Sequence, residues 1–455
     1  MKFDVAIVGG GLGGYPAAVN LAREGYNVVL FEEKYLGGEC TNYGCVPSKA
    51  LYHVGEANHF LEKIGLKTNI DWGKVIGWVR EIVSTTRGGL EELLERYGVK
   101  IVYGKAKFKE NSVIVVDNNE YRYDKLLLAL GTDPKPLPTM DFDGKYILSN
   151  RDIFFLEEEF TDLLVIGGGV IGVEIANMYS DLGVNITIVE ALDHILPFLD
   201  RDVALALKRY LLEKGIRIYE KTLVEKIDII EGRVKARLSN NEILEVDKVL
   251  VAIGRTPKTR GIGLENIGVK LDKQGYIQVD EYCRVTGFNN VYGAGDVIGA
   301  PLLAHKAIVE SIVSSMNMMG KDIVRVNIDL IPQTIFSGLE IASIGYTEKD
   351  LREKNIRFKR VKLPIHYLSS IRIKDSRYSF IKILVDEANV DKIYGIHIVA
   401  PNASEAIAAF IPFYLAKINF REARLIPYPH LTVSEVVREI AEYILGEPVN
   451  VFVKK

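Results

Sequence analysis

Cysteine is scarce in this chain. Three cysteines in 455 residues cannot staple a small secreted scaffold, and a chain of this length does not need staples to bury a core. Tryptophan occurs twice. Glutamine stands only at Gln274, Gln278 and Gln333, a shortage that fits a thermophilic source. No apolar run approaches the roughly 18 residues of a membrane span, so no membrane association is expected. Neither sign of charge prevails: 57 basic against 60 acidic residues give a net charge of −3, which offers no basic field and predicts no nucleic-acid partner. The chain enters a strand within its first residues rather than a signal peptide, and few cysteines suit a reducing compartment. A cytoplasmic location is therefore expected.

What remains is an ordinary globular composition, 48% apolar and 26% charged, at a length that predicts two to four domains. The apolar run Phe3 to Val8 leads directly into Gly9-Gly10-Gly11-Leu12-Gly13-Gly14, then an Ala-rich helical segment to Arg23, then a strand from Asn27 to Phe31 ending in Glu32. In that strand, turn and helix setting, G-x-G-x-x-G carries a mechanism. Gly9 allows the tight turn, Gly11 close approach to a pyrophosphate, Gly14 close helix packing, and Glu32 a bond to a ribose hydroxyl. The pattern returns at Leu163 to Ile166, Gly167, Gly169 and Gly172, a helix to Leu182, a strand from Asn185 to Val189, and Glu190. Glycine and acid stand the same distance apart in both copies, which predicts two separate dinucleotide sites in an α/β fold of two Rossmann-like units.

Between Gly37 and Leu51 lies Gly-Gly-Glu-Cys-Thr-Asn-Tyr-Gly-Cys-Val-Pro-Ser-Lys-Ala-Leu. Pro47, Ser48 and Lys49 read as the first turn of a helix, so Cys40 and Cys45 stand near a helix N-terminus, whose positive end makes thiols acidic and reactive. A structural disulfide is a poor alternative, since closing about six residues would stabilise the fold by only roughly 2 kcal/mol. A zinc site lacks a second ligand pair, and no metal is expected. Redox chemistry is the better account of the pair. Because Cys40 follows Glu32 closely, the first dinucleotide site should hold FAD, which exchanges electrons with sulfur. The second then takes the nicotinamide nucleotide, and Glu190, with no Arg or Lys close behind it, favours NAD over NADP. Cys283, alone in a polar stretch, is expected to be inert.

Further along, a helical stretch from Leu51 to Tyr97, β segments from Val99 to Tyr123, a strand from Leu126 to Leu130 and the prolines Pro134, Pro136 and Pro138, read as a linker, complete the first unit. Val249 to Ile253 with Gly254 closes the second. Val291 to Asp296 suggests a return to the first unit, so the NAD unit is inserted in the FAD unit. From about Ile331 the pattern changes to strands at Ile341 to Gly345, Phe380 to Val385 and Ile393 to Val399. A helix follows from Ser404 to about Asn419, interrupted at Pro412, and a last one from Ser434 to Leu445, with Ser434 as its N-cap.

Together these segments resemble the class I pyridine nucleotide-disulfide oxidoreductases along essentially the whole chain, and most closely those members that oxidise dihydrolipoamide. The resemblance implies an FAD-binding domain at 1–145 and 276–330, an NAD-binding domain at 146–275, and a C-terminal α+β dimerisation domain at 331–455. It implies a homodimer whose active sites are shared between subunits, with a lipoyl domain of a 2-oxoacid dehydrogenase complex as an expected partner. Cys40 then matches the thiol that exchanges with substrate, Cys45 the thiol against the flavin, His430 the general base and Glu435 its orienting carboxylate. Lys49 matches the lysine beside the flavin and Glu174 its salt-bridge partner. Gly38, Ala106, Gly131, Asp296 and Ala304 match FAD contacts, and Val224 and Gly254 the NAD site.

The chain also departs from the family. Leu431 follows His430 where proline is typical, Tyr428 stands where a second histidine is common, and Leu130 replaces a threonine. Glu39 replaces a threonine beside Cys40 and is expected to raise the thiol pKa. Within the family, a glutathione reductase would carry an aromatic residue at Val170 and basic residues near Glu190. A mercuric reductase would end in a cysteine pair, which this chain lacks. A flavin-bearing structural subunit would not need Cys40, Cys45, His430 and Glu435 together.

Overall fold

The computed structural model describes residues 1–324, 327–374, 377–416 and 418–452. The chain forms two compact units: Met1–Val54, Thr68–Glu159 and Ile253–Val326 make the first, and Gly55–Lys67, Phe160–Ala252 and Asn327–Lys455 the second.

The first unit is built on strand β1 (Lys2–Val8), helix α1 (Tyr15–Arg23) and strand β2 (Val28–Glu32). β1 pairs in parallel with β2, Ile7 opposite Leu30, and on its other side with the strand Asn119–Leu128, Ile7 opposite Leu127. Val5, Ala6 and Ile7 are fully buried, as are Val29 and Leu30. A parallel sheet covered on both faces accounts for apolar runs that do not alternate. Lys100–Tyr103 extends the sheet beyond β2, an antiparallel pair (Lys107–Glu110 and Val113–Val116) extends it beyond Asn119–Leu128, and Val291–Gly293 pairs in parallel with Leu126–Leu128. The chain thus leaves this sheet, builds the second unit's 160–252 segment, and returns.

After β2 come two helices, α2 (Gly38–Tyr43) and α3 (Cys45–Lys63), separated by Gly44. The expected helical stretch to Tyr97 is divided, since α3 ends at Lys63 and the next helix runs Trp72–Arg96, capped by Asp71 through a bond from Lys74 N–H. The proline passage is not a plain linker. Thr132–Pro134 pairs antiparallel with Arg255–Pro257, an edge placement that tolerates a proline without a donor.

The second unit repeats the plan of the first, with Asp162–Ile166 flanked in parallel by Asn185–Val189 and Lys248–Val251 and with Arg217–Tyr219 beyond. A three-stranded antiparallel sheet, Val224–Ile230, Arg233–Leu238 and Ile243–Val246, follows. Its C-terminal part is an antiparallel sheet in the order 333–335, 341–345, 393–399, 380–386 and 358–364, with a core around Ile381, Ile383, Ile396 and Ile398, all fully buried.

Two helix readings need correction. The 404–419 helix is two short ones, Ala403–Ala406 and Ile411–Ala416, joined by a 3-10 turn. Pro412 sits near the start of the second, where its missing N–H costs nothing, and so does not cause the break. The last helix begins as a 3-10 turn at Val433–Glu435 and becomes α-helical over Val436–Ile444. Thr432, not Ser434, holds the extended position ahead of it, and the two hydroxyls bond each other at 2.6 Å.

Candidate active site

Gly9 N–H donates to Phe31 O at 2.8 Å, and the chain turns at Gly9 with φ +107°, a conformation glycine adopts without strain. A Cβ at Gly14 would stand 1.9 Å from Gly9 O, so only glycine lets α1 start this close to β1, and Pro16 suits its first turn. The Glu32 carboxylate accepts from Gly10 N–H and Lys34 N–H, both at 2.9 Å. The arrangement recurs in the second unit. Gly167 has φ +105°, a Cβ at Gly172 would lie 2.0 Å from Gly167 O, and Glu190 accepts from Gly168 N–H at 2.6 Å and Leu192 N–H at 2.7 Å. Both loops present a bare cradle at a helix N-terminus, as a pyrophosphate requires. Gly169 has open space where a side chain would stand. The donor sets therefore fit two dinucleotides.

Gly37 and Gly38 fold α2 onto the first loop. Both have positive φ, +88° and +58°, Gly37 N–H donates to Gly10 O at 2.8 Å, and a Cβ on Gly38 would come 2.8 Å from Gly11 Cα. The Asn42 amide secures the turn by donating to Leu36 O and Gly38 O. Cys40, in α2, is joined by a disulfide to Cys45, with Cα atoms 4.7 Å apart. Cys45 is the first residue of a 19-residue helix, two positions earlier than the proline suggested, so the helix dipole acts on its sulfur directly. Lys49 lies half-buried one turn along α3.

Glu39 is not the loose negative charge expected beside Cys40. Its carboxylate accepts from Asn150 Nδ2 at 2.8 Å and from Arg151 Nε and Nη2 at 3.1 and 2.8 Å, and Arg255 Nη2 lies 2.9 Å away. Burial pushes its pKa up, but the Arg255 charge and the bonds and charge of Arg151 outweigh that and hold it below the usual carboxylate range. These arginines were not among the expected site residues.

Elsewhere in the first unit, Asp296 is the second residue of a 3-10 turn, Gly295–Ile298, and accepts from Thr132 Oγ1 at 3.0 Å. Burial pushes its pKa up, against the opposing Arg255 charge. Ala304 starts the helix Ala304–Met318, Ala106 is buried between two strands, and Gly131, φ +70°, receives Lys258 N–H on its carbonyl. Gly254, expected at the NAD site, falls in the first unit, where its carbonyl accepts Lys135 N–H. In the second unit Val224 opens a strand, and buried Glu174 accepts Phe336 N–H at 2.9 Å. Cys283 is fully buried. Asp200, Asp202 and Glu348 converge on a buried ammonium, Lys382 Nζ, at 2.7, 2.7 and 3.2 Å.

His430 Nδ1 lies 3.1 Å from Glu435 Oε1. Its side chain is 79% exposed, that of Glu435 8%. A carboxylate at Nδ1 fixes the proton there and leaves the Nε2 lone pair outward, as a base requires. Without a proline after the histidine, the turn is made by Leu431 at φ +54°. Proline, fixed near −65°, could not adopt this conformation. Arg438 stands 3.5 Å from the Glu435 carboxylate.

Residues 3–311 match the family described as pyridine nucleotide-disulphide oxidoreductase, and residues 331–441 its dimerisation domain. A mitochondrial dihydrolipoyl dehydrogenase of Pisum sativum is 35% identical over 98% of this chain and 92% of its own. The dihydrolipoyl dehydrogenase of Thermus scotoductus is 34% identical over 99% of both chains. Among solved structures, LpdA of Mycobacterium tuberculosis is similar with a TM-score of 0.90 at 25% identity, covering 97% of this chain and 99% of that one. The HOCl-induced flavoprotein disulfide reductase RclA of Escherichia coli gives 0.88 at 26% identity, covering 97% and 100%.

Proposed function

The chain belongs to the pyridine nucleotide-disulphide oxidoreductase family, and from that premise we propose that it is a dihydrolipoyl dehydrogenase, oxidising a small dithiol through Cys40 and Cys45. It is an FAD- and NAD-linked oxidoreductase acting on sulfur, and a homodimer by its dimerisation domain. The observation that carries the substrate reading is the Cys40–Cys45 disulfide at the start of α3, in the same unit as the first glycine cradle.

Gly9, Gly11, Gly14, Glu32, Gly38, Asp296 and Ala304 would hold FAD, and Gly167, Gly169, Gly172 and Glu190 would hold NAD. When bound, the flavin accepts the two electrons of the dithiol and the nicotinamide carries them off as hydride. The protein's part is thiol exchange. A substrate thiolate attacks Cys40 Sγ, the disulfide breaks, and Cys45 leaves as a thiolate stabilised by the helix end. The second substrate thiol, deprotonated at His430 Nε2, displaces Cys40 from the mixed disulfide and the product leaves as a cyclic disulfide. Glu435 stabilises the imidazolium so formed. Each chain's His430 serves the disulfide of the other protomer, and the dithiol is borne by a lipoyl domain in the cytoplasm. Among the described residues no helix is long and apolar enough to cross a membrane.

Steady-state rates with dihydrolipoamide and NAD⁺ should exceed those with glutathione disulfide or mercuric ion and NADH or NADPH by at least tenfold. Preference for either alternative overturns the reading. Cys45→Ser should abolish dithiol oxidation while FAD stays bound, and retained activity would remove the disulfide from the mechanism.

A further inference from the structure

Glu39 adjoins Cys40 in sequence, and the groups around its carboxylate form a closed set. The Asn150 amide that donates to Glu39 also donates to Tyr43 O at 2.9 Å. One short segment, Asn150 and Arg151, therefore grips both ends of α2, with Cys40 between them. Arg255 extends the set inward. Its side chain is 9% exposed, its Nε donates to Thr132 Oγ1 at 2.7 Å and its Nη2 to Thr132 O at 2.9 Å, and Thr132 Oγ1 donates on to Asp296. Arg151 also reaches Asp133 at 2.7 Å, which Lys258 approaches at 3.2 Å. An acid beside a thiol disfavours the thiolate, and an arginine favours it. Here each is held against the other.

We propose that Glu39 is a positioning residue for Cys40, and that its balance against Arg151 and Arg255 sets how readily the Cys40 thiol ionises once the disulfide is reduced. This rests on Cys40 being the thiol that meets substrate. The charged and titratable groups around α2 are its own Glu39 and Tyr43, Cys45 and Lys49 on α3, Tyr35 and Arg87, which act on Tyr43, and Arg151, Asp133, Arg255 and Lys258, with His430 joining from the other protomer. Tyr43 stays neutral, since burial pushes its hydroxyl up, and Arg151 lies over its ring at 5.6 Å. Glu39, Arg151 and Arg255 are thus the fixed charges tied directly to α2.

Charge tuning and mere clamping predict different signs. If the clamp only holds α2 in place, losing either partner loosens the helix and moves Cys40 reactivity the same way. If the balance sets acidity, removing the acid leaves an uncompensated arginine and favours the thiolate, whereas removing an arginine leaves an uncompensated acid and opposes it.

The test reduces the FAD-loaded protein and follows iodoacetamide alkylation from pH 5 to 9, locating the label by mass spectrometry. Glu39→Gln should lower the half-alkylation pH of Cys40 by about half a unit to one unit, speeding labelling at pH 6.5 by about three- to tenfold. Arg151→Gln, which spares the Arg255 link to Asp296, should raise it by a similar amount. The double variant should return near the parent. Glu39→Asp keeps the charge while shortening its reach, so it should keep the parent profile within about 0.3 unit and covers the case in which Glu39→Gln does not retain flavin. Shifts of the same sign in Glu39→Gln and Arg151→Gln, or no shift at Cys40, overturn the proposal alone. Label arriving at Cys45 while Cys40 stays unmodified overturns the assignment of the outward thiol, and the proposal with it.

Discussion

Gly14 and Gly172 face the same obstacle in different units: a Cβ on either would stand 1.9 or 2.0 Å from the carbonyl oxygen of Gly9 or Gly167. The acids that follow, Glu32 and Glu190, hold the N–H groups of Gly10 and Gly168 in the same way. The loops part company in what lies over them. Gly38 closes on Gly11, Gly37 bonds Gly10, and Gly13 packs so closely under Ala294 that a Cβ would lie 2.9 Å from its carbonyl oxygen. Over Gly169 a Cβ would meet nothing within 4 Å. Both loops are bonded at their second glycine by a later segment, Gly37 N–H to Gly10 O and Leu196 N–H to Gly168 O, each at 2.8 Å. Only the first is also closed over its third and fifth positions, and the second is open at Gly169. A group that stays bound gains from enclosure, because the loop is held in its binding shape beforehand; a coenzyme that exchanges at every turnover needs a way in and out.

The strongest way to break this contrast is to place the same methyl in each loop. Gly14→Ala should cost the first unit both its flavin and its fold, because α1 must withdraw from β1 and the segments over the loop lose their seat. Gly172→Ala should strain the second unit in the same way, so that NAD-dependent turnover falls at least a hundredfold, about 2.7 kcal/mol of lost binding and orientation, while the flavin stays bound in the first unit. Flavin absorbance of the purified variants and NADH titration read both effects. Equal loss of flavin in the two would show that the loops do not differ as described.

A smaller change sharpens the chemical side of the comparison. Glu190 is 7% exposed and spends two bonds on the N–H groups of Gly168 and Leu192, so under the proposed assignment its remaining lone pairs would serve a ribose hydroxyl and its charge would repel a 2′-phosphate. Glu190→Arg should weaken NAD at least tenfold and narrow its advantage over NADP, with flavin content unchanged. Equal NAD affinity in variant and parent would take away the basis for the coenzyme assignment.

The glycine loops were legible because their constraint is local: a turn, a close approach and an acid a fixed distance on leave little choice of residue. The cysteine pair was legible for the same reason, as were the C-terminal strands, whose apolar runs have nowhere to go but a core. What escaped was long-range. Nothing near Glu39 in sequence shows that Arg151, 112 positions away, and Arg255 would neutralise it, although an unusual acid beside a reactive thiol was a signal that a cation should be sought. Competition misled locally. Thr432 and Ser434 both suit a cap, and the Thr432 hydroxyl instead closes a turn onto Pro429 O at 2.8 Å. At Leu431 the sequence showed only a missing proline, since a left-handed leucine is set by its surroundings and not by propensity.

The two cradles also differ in how the chain beyond them is anchored. Past Glu32 the chain is pinned by glycine contacts, whereas past Glu190 it is pinned to Gly168 through Leu196 N–H and then runs on to Asp200, which accepts Glu348 N–H and pairs with fully buried Lys382. His397 lies in the same cluster, its Nδ1 3.0 Å from Ser343 Oγ and its Nε2 3.2 Å from Tyr346 O. Burial, then the Lys382 charge, push its pKa down from 6.5 to about 4, against the opposing pull of Asp200. The unfolded chain therefore binds a proton in a range where the folded one does not. The resulting stability is fully present above pH 6.5 and is lost as pH falls toward 4, on the order of 2 kcal/mol. Buried Asp296 and Glu340, pushed up by burial, act in the opposite sense, so the difference between parent and variant isolates the imidazole. His397→Asn should lose the part of the acid sensitivity that falls between pH 6.5 and 4.5, read as denaturant midpoints at the two pH values, with thiol exchange at pH 7 unaltered. Parallel midpoints in parent and variant would mean that the second unit's anchor does not titrate there.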